Sequence, residues 1–98
     1  MYYISGFYKF KKISNLKKYK KSMQVYFNNK DIRGSIIIAK EGINGTISTK
    51  KKILNGAINK IKKTFSISNF DSINYSKCLY QPFHRGKIKI KKKLFLWE

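Results

Sequence analysis

The chain has 98 residues, of which 42% are hydrophobic and 15% aromatic; this composition excludes general disorder and leaves room for one domain with a modest core. Its charge is unusual, because 23 Lys and Arg against 4 Asp and Glu give a formal net charge of +19. Such a charge favours a polyanionic partner, with nucleic acid as the first candidate and an anionic membrane surface as the second. A coding bias towards Lys, Ile and Asn competes with this explanation, but bias alone should also supply acidic residues, so we favour affinity for polyanions.

The sequence carries no sign of secretion or of membrane insertion. Its single cysteine, Cys78, allows no internal disulfide, as in a reducing compartment. The N-terminus lacks the pattern of a signal peptide, and no run approaches the ~20 apolar residues of a membrane span. We therefore expect a cytoplasmic protein with no membrane partner.

The first part of the chain predicts a strand and a helix. Residues Tyr2 to Phe10 are mostly aromatic or β-branched, as in a strand, and Gly6 within them indicates a bulge or a close contact. A helix capped by Ser14 or Asn15 follows and ends within residues 28–31. Its apolar face lies at helical spacing and comprises Leu16, Tyr19, Met23, Tyr26 and Phe27.

The stretch from Arg33 to Ser48 predicts the β-hairpin at the centre of the sheet. It contains an unbroken apolar run, residues 36–39, which is typical of a buried strand. Glu41 and Gly42 break this run, and a second strand begins at Ile43.

The remaining residues predict another helix and two strands. Ser48 or Thr49 can cap the helix, and residues 72–79 form a short strand that ends before Pro82. Residues 87–91 alternate strictly, with isoleucines towards the core and lysines towards water. The apolar stripe of the helix comprises Ile53, Leu54, Ala57, Ile58, Ile61 and Phe65. The tail after the last strand carries the apolar residues Leu94, Phe95, Leu96 and Trp97.

The order of these elements is β-α-β-β-α-β followed by one more strand. This order predicts an α+β fold, a ferredoxin-like (acylphosphatase-like) βαββαβ sandwich. We expect an antiparallel sheet with two helices on one face and an extra C-terminal strand, all within a single domain of residues 1–98.

Residue types that perform catalysis or bind metals do not cluster in the sequence. His84 has no partner carboxylate in its neighbourhood, Cys78 reads as a small apolar strand residue, and the four acidic residues are scattered. We therefore expect no catalytic residue, no metal site and no cofactor. Acylphosphatases share the topology but use an arginine in the loop after strand one and an asparagine on strand two. Here the loop offers lysines only and the asparagine position falls on or near Ile38, which disfavours that activity.

Lysines stand where stability alone would not place them. They open both predicted helices, where cations oppose the helix dipole, and a polyanion laid across both helix starts would relieve this. They also line the last strand, spaced roughly 6–7 Å apart. Aromatic residues of strand one can stack on unpaired bases, but we expect them to serve mainly in the core. We predict nucleic-acid binding by Lys17, Lys18, Lys20, Lys21, Lys50, Lys51, Lys52, Arg85, Lys87, Lys89, Lys91 and Lys92.

Several segments, in order and with matching spacing, resemble the rhodanese-related tRNA uridine hydroxylases. Residues 39–48, AKEGINGTIS, are similar to the family's A-x-E-G-I-N-G-T-[IV]-S, and residues 34–38 are similar to the G-[ST]-I-x-[IL] that precedes it. Residues 8–10 resemble the Y-K-F that ends the family's first strand, and residues 82–91 resemble its P-F-x-R-x-K-V-K-x-K run. The family motif corresponds to Glu41, Gly42, Asn44, Gly45 and Thr46.

This resemblance implies that residues 1–98 are the ferredoxin-type domain that precedes a rhodanese domain. The parent enzymes oxidise the wobble uridine of certain tRNAs to 5-hydroxyuridine with molecular oxygen, and their catalytic cysteine lies in the rhodanese domain. Cys78 does not correspond to that cysteine. The chain is then an excised domain or a short gene product, and in either case we do not expect it to catalyse the hydroxylation alone.

Two hypotheses of different classes follow. In the first, the domain binds tRNA through phosphate contacts while a rhodanese domain, in cis or in trans, performs the oxidation. In the second, the domain docks on the rhodanese domain and shapes its active site, with RNA binding incidental. The apolar tail of residues 94–97 favours a partner surface of this second kind.

Overall fold

The computed structural model describes residues 1–94 and shows a five-stranded sheet with two helices. In chain order the elements are β1 (Tyr2–Phe10), α1 (Leu16–Lys30), β2 (Arg33–Ala39), β3 (Gly42–Thr49), α2 (Lys51–Phe65), β4 (Ser72–Cys78) and β5 (Gly86–Ile90). The strand order is β4-β1-β3-β2-β5. The pairs β4–β1, β1–β3 and β3–β2 are antiparallel, whereas β5 pairs parallel to β2. The predicted ferredoxin-like class is confirmed, and the parallel fifth strand makes the sheet mixed.

The hydrophobic core lies between the sheet and the two helices. Alternate residues of the central strands point into it, so that Phe7, Ile36, Ile38, Ile43 and Ile47 are buried. The helices contribute the buried residues Met23, Phe27, Leu54, Ala57, Ile58, Ile61 and Phe65. Both predicted apolar stripes are thus confirmed. Within residues 1–94, neither helix is long and apolar enough to cross a membrane.

The hairpin forms as predicted, with one difference at its end. Lys40 and Glu41 make a two-residue turn, and Ala39 pairs with Gly42 across it. The strand β3 continues to Thr49, which is buried with Ser48 inside the sheet. Neither residue can therefore cap α2, and the predicted cap is wrong.

The helix ends also differ from the predicted caps. Asn15 precedes α1 in a left-handed conformation (φ 56°), and its side chain makes no capping hydrogen bond. Lys50 occupies the corresponding position before α2, again without a side-chain cap. Both helices instead end on left-handed residues, Asp31 and Ser66, whose backbone N–H groups donate to carbonyls of the last turn.

The edge strand β5 is held by α1. The side chain of Gln24 donates to the carbonyl of Gly86 at 3.0 Å and accepts from the N–H of Ile88 at 3.2 Å. Ile88 is buried, as predicted, but Ile90 is 37% exposed, so the expectation that both isoleucines enter the core is wrong for Ile90. Ile90 lies beside Leu16 at the start of α1, where the core is only partly covered.

The residue after the lysine run is part of the domain. Leu94 is 2% exposed and packs near Gly42. The interpretation of Leu94 as apolar surface awaiting a partner is therefore wrong. The other members of the predicted apolar tail, residues 95–97, lie outside the described residues.

Candidate nucleic-acid interface

The lysines of β5 lie on the face of the sheet that the helices leave uncovered. Because Ile88 points into the core, alternation places Lys87 and Lys89 on the opposite face. There they adjoin Ser35 and Ile37 of β2, to which they are paired in register. The N–H of Lys91 donates to the carbonyl of Ile38 at 3.0 Å and extends the same ladder. The predicted row of strand lysines therefore exists as one edge of the sheet.

The helix lysines face water as predicted. Lys17, Lys18, Lys20 and Lys21 are all exposed on the first turns of α1, and no acidic residue occupies that turn. The three lysines at the start of α2, residues 50–52, are exposed as well, again with no acid in the first turn. Both helix starts therefore carry cations that the helix dipole disfavours.

The two helix starts lie at opposite ends of the molecule. Helix α1 follows the Phe10 end of β1, whereas α2 follows Thr49, which pairs with Tyr3 at the other end of that strand. Each helix has 15 residues, a length of about 22 Å at 1.5 Å per residue. The structure thus does not bring Lys17–Lys21 and Lys50–Lys52 into one site. Arg85 shares the α2 end, because the adjacent Gly86 pairs with the beginning of β2.

A larger group of lysines converges at the end of the sheet that carries the hairpin turn. We call this region the hairpin end, defined by the Lys40–Glu41 turn, the start of α1 and the end of β5. The loop after β1 belongs to it, since the N–H groups of Lys11 and Ile13 donate to the carbonyls of Glu41 and Lys40, both at 2.9 Å. The lysines of this region are Lys11, Lys12, Lys17, Lys18, Lys40, Lys91 and Lys92.

An open groove occupies the middle of the hairpin end. Two adjoining hollows of about 400 and 420 Å³ meet at the side chains of Leu16 and Ile90. We name this feature the Leu16–Ile90 groove. Its rim consists of Asn15, Lys17, Lys18, Lys40, Lys91 and Lys92. Among residues 1–94, no acidic side chain lines it.

The family motif in the hairpin holds the chain that follows β5. The carboxylate of Glu41 accepts the N–H of Leu94 at 2.7 Å, and the side-chain amide of Asn44 donates to the carbonyl of Leu94 at 3.4 Å. Gly42 has φ +148°, and an added Cβ would overlap the carbonyl oxygen of Lys9 and lie 3.0 Å from Leu94 Cδ1. Glu41, Gly42 and Asn44 together hold residues 91–94, which we call the exit segment, on the sheet.

The two remaining motif residues serve the sheet itself. A Cβ on Gly45 would lie 2.9 Å from the ring of Phe7 and 3.0 Å from Ile36 Cγ1, so the core needs a glycine there. Thr46 is exposed on the uncovered face beside Gly6, to which it is paired. Gly6 makes the close contact predicted for it, with its Cβ position 3.2 Å from Asn74 Oδ1, and unbroken pairing on both sides excludes a bulge.

Backbone groups of the loop after β1 are hydrogen-bonded to the hairpin turn. Two of its backbone donors, on Lys11 and Ile13, are consumed by the hairpin turn, and Lys11 Nζ also donates to the carbonyl of Ser66 at 2.6 Å. Ile38, near the position of the catalytic asparagine, is fully buried. These contacts are in keeping with the expectation from the sequence that disfavours acylphosphatase activity.

Asp71 and Cys78, which do not line the Leu16–Ile90 groove, take part in the structure of the sheet. Asp71 accepts the N–H of Phe10 at 2.7 Å and pairs with Lys9 at 3.4 Å. The hydrogen bond from Phe10, followed by the hydrogen bond and charge of Lys9, lowers the pKa of Asp71, while desolvation opposes the shift. Cys78 is a half-buried free thiol at the end of β4. Within residues 1–94, no three His, Cys, Asp or Glu side chains gather as a metal site requires.

Sequence reasoning missed part of the hairpin end. Lys40 was not among the predicted binding residues, nor were Lys11 and Lys12, because each belongs to a connection rather than to a patterned helix or strand. A hairpin topology that pairs the turn with the loop after β1 is the signal that places them together. Ile90 was missed as well, since strict alternation assigned it to the core.

A ferredoxin-like sandwich with this strand order defines an acylphosphatase-like domain. The chain belongs to the UPF0176 acylphosphatase-like domain family, whose sequence profile matches residues 2–94. The family resemblance read from residues 8–10, 34–48 and 82–91 is thereby confirmed.

Curated relatives of the chain are longer enzymes. The chain is 53% identical over 94 residues to the tRNA uridine(34) hydroxylase of Pelagibacter ubique (strain HTCC1062), covering 96% of this chain and 31% of that protein. It is 28% identical over 91 residues to the tRNA uridine(34) hydroxylase of Wolbachia pipientis subsp. Culex pipiens (strain wPip), covering 93% and 32%. The chain thus spans about a third of the length of the curated relatives it matches.

Solved structures share the fold at low sequence identity. The acylphosphatase from Bacillus subtilis superposes with a TM-score of 0.62 at 11% identity, over 90% of this chain and 98% of that one. BlsA in its photo-activated state gives a TM-score of 0.70 at 13% identity, over 95% and 71% of the two chains. At such identities these similarities establish the architecture alone.

Proposed function

We propose that this domain binds tRNA and holds it beside a catalytic domain that hydroxylates the wobble uridine. The observation that carries the proposal is the hairpin end, where lysines from the β1 loop, α1, the hairpin turn and β5 converge. An enzyme that modifies tRNA must hold a polyanion whichever base it acts on, and phosphate contacts supply most of that affinity. The relatives are tRNA uridine(34) hydroxylases, and their substrate supplies the substrate class.

The division of labour follows from the residues present. In the proposed division, lysines of the hairpin end bind the phosphates of the RNA. The resemblance assigns the oxygen-dependent step to a rhodanese domain acting in cis or in trans. We expect the 98-residue chain to bind tRNA without hydroxylating it.

The direction of the exit segment supports this arrangement. Glu41 and Asn44 hold Leu94 at the same end of the sheet as the converging lysines. In the longer relatives, a domain that follows this segment would begin next to the bound RNA backbone. The wobble base could then reach the catalytic domain while its flanking phosphates stay on this one.

The first test is a titration of tRNA at several salt concentrations. At ~50 mM salt, where counterion release favours binding most, we expect clear binding by fluorescence anisotropy. If about five phosphates are neutralised, the slope of log Kobs against log salt should lie near −4. No detectable binding at ~50 mM salt would refute the proposal.

A pair of charge-reversal variants tests where on the domain tRNA binds. One variant carries Lys40→Glu, Lys91→Glu and Lys92→Glu at the hairpin end, and the matched control carries Lys50→Glu, Lys51→Glu and Lys52→Glu at the opposite end. Both change the net charge equally, so non-specific attraction falls equally in both. We expect at least a tenfold greater loss of tRNA affinity in the hairpin-end variant, about 1.4 kcal/mol. Equal losses would show that no defined site exists at the hairpin end.

A second candidate function is docking on the catalytic domain. It is favoured by the hydrogen bonds of Glu41 and Asn44 to Leu94, which hold this residue on the sheet at the hairpin end. To separate the two functions, the chain is titrated against a separately produced rhodanese domain of a tRNA uridine(34) hydroxylase without RNA. A complex that survives the hairpin-end charge reversal supports docking, and the absence of a complex supports tRNA binding as the role of the domain.

A further inference from the structure

The Leu16–Ile90 groove exposes apolar surface inside a ring of cations. Ile90 is 37% exposed although its neighbour Ile88 is buried, and Leu16 is half-buried against the edge of the core. A single exposed isoleucine on a protein surface needs no explanation. Here, however, two apolar side chains meet as the floor of a concave feature with a polar rim, which is the composition of a ligand site.

The rim has a strongly one-sided charge. Five lysines, Lys17, Lys18, Lys40, Lys91 and Lys92, surround the floor. The acid nearest in sequence, Glu41, already accepts the N–H of Leu94 and is not among the lining residues. Like charges held together in a concavity raise the local positive potential and attract an anion. The occupant must therefore combine a negative group with a flat or compact apolar part.

Size and hydrogen bonding narrow the class of ligand. The two hollows of about 400 and 420 Å³ lie within the range of small-ligand sites. Asn15 stands on the rim, and its side-chain amide is not used as a helix cap. A free amide can donate to and accept from the edge of a nucleobase. A lipid headgroup would use the lysines but would leave both the floor and this amide unused.

We propose that the groove seats an unpaired base, with the flanking phosphates on the lysine rim, so that the domain takes single-stranded segments of RNA in preference to duplex. This inference rests on the proposed binding of tRNA and adds which part of the molecule the hairpin end receives. In a duplex the base faces are stacked on one another and only phosphates reach the protein, whereas an unpaired base can lay its face on Leu16 and Ile90.

The test compares the affinity of the domain for a single-stranded RNA of eight nucleotides with its affinity for a duplex of the same sequence. Both affinities are measured by fluorescence anisotropy at the same salt concentration. The variants are Ile90→Ser and, as matched control, Leu79→Ser, which removes a more exposed apolar side chain (79%) at the opposite end. Loss of the apolar floor should weaken single-strand binding about tenfold in Ile90→Ser. The affinity of Ile90→Ser for the duplex should stay within about twofold of the parent value. The affinities of Leu79→Ser for the single strand and for the duplex should also stay within about twofold.

A second measurement keeps the inference falsifiable if Ile90→Ser proves unstable. In the parent chain with labelled isoleucine methyl groups, the Ile90 methyl signals should shift when the single strand is added and not when the duplex is added. Equal losses for both RNAs, unchanged single-strand affinity or an unmoved Ile90 signal would overturn the base seat while leaving tRNA binding intact. Tighter binding to vesicles with anionic headgroups than to the single strand would also overturn it. A parent chain that binds no RNA would instead refute the proposed function.

Discussion

Gly42 offers a sharp test of how the hairpin, β1 and the exit segment fit together. Its φ of +148° lies in a region that residues with a side chain rarely adopt, and an added Cβ would overlap the carbonyl oxygen of Lys9. The same methyl group would stand 3.0 Å from Leu94 Cδ1. Gly42→Ala must therefore either force β1 and β3 apart or rebuild the turn, and both displace Leu94 from its burial.

The expected loss of stability in Gly42→Ala follows from the backbone conformation and from the contacts of the added methyl group. A residue with a side chain in such a conformation costs about 1–3 kcal/mol, and displaced packing at Leu94 adds to this. We expect a loss of about 3 kcal/mol in the free energy of unfolding. For a domain of this size, each kcal/mol shifts the Tm by about 4–8 °C, so the Tm should fall by roughly 12–24 °C.

The matched control is the same substitution in α2. Gly56 is exposed in the middle of the helix, and its Cβ position is 3.8 Å from the hydroxyl oxygen of Tyr26. Alanine is favoured over glycine in a helix by about 1 kcal/mol, so Gly56→Ala should raise the Tm by about 4–8 °C. Thermal unfolding followed by circular dichroism measures both variants. If Gly42→Ala stays within about 2 °C of the parent, the steric argument is refuted.

Two further predictions concern single hydrogen bonds. The N–H of Phe10 lowers the pKa of Asp71, so this carboxylate stabilises the fold above its unfolded-state pKa, near 3.8, and the contribution is lost as the pH falls through the lower folded-state pKa. In urea titrations between pH 6 and pH 2, Asp71→Asn should therefore be less stable than the parent at the upper end, and the difference should vanish at the lower end. Gln24→Leu should leave the β5 groups of Gly86 and Ile88 without their partner, at about 1–2 kcal/mol. Amide hydrogen exchange should show faster exchange at Ile88, and unchanged protection there would contradict the role given to Gln24.

Local patterns predicted the central architecture well. The run at residues 36–39 and the glycines around it define the hairpin, because β-branched residues and turn residues act over a few positions. The two helical stripes follow from a period that burial on one face imposes. The lysines at residues 17–18 and 91–92 were also assigned to binding from the sequence, and the structure places them together.

Features that depend on pairing between distant residues could not be predicted from the sequence. The parallel register of β5 on β2 depends on residues some fifty positions apart, which no local periodicity reports. That register places Ile90 beside Leu16 at the start of α1, where it stays partly exposed. Likewise, the burial of Leu94 depends on Glu41 and Asn44, whose spacing to Leu94 has no local signature. The fact that the two helices start at opposite ends of the molecule follows only from the strand order.

The position of β5 after all the other strands has a consequence for synthesis. Leu16 leaves the ribosome early and Ile90 late, at translation rates of about 5–20 residues per second. Until β5 pairs with β2, the emerging polypeptide has its helix lysines but no completed groove. Any contact with ribosomal RNA in that interval would rest on charge alone and would be weak and short-lived at cellular salt. Selectivity for one kind of RNA would thus arise only when β5 has paired with β2.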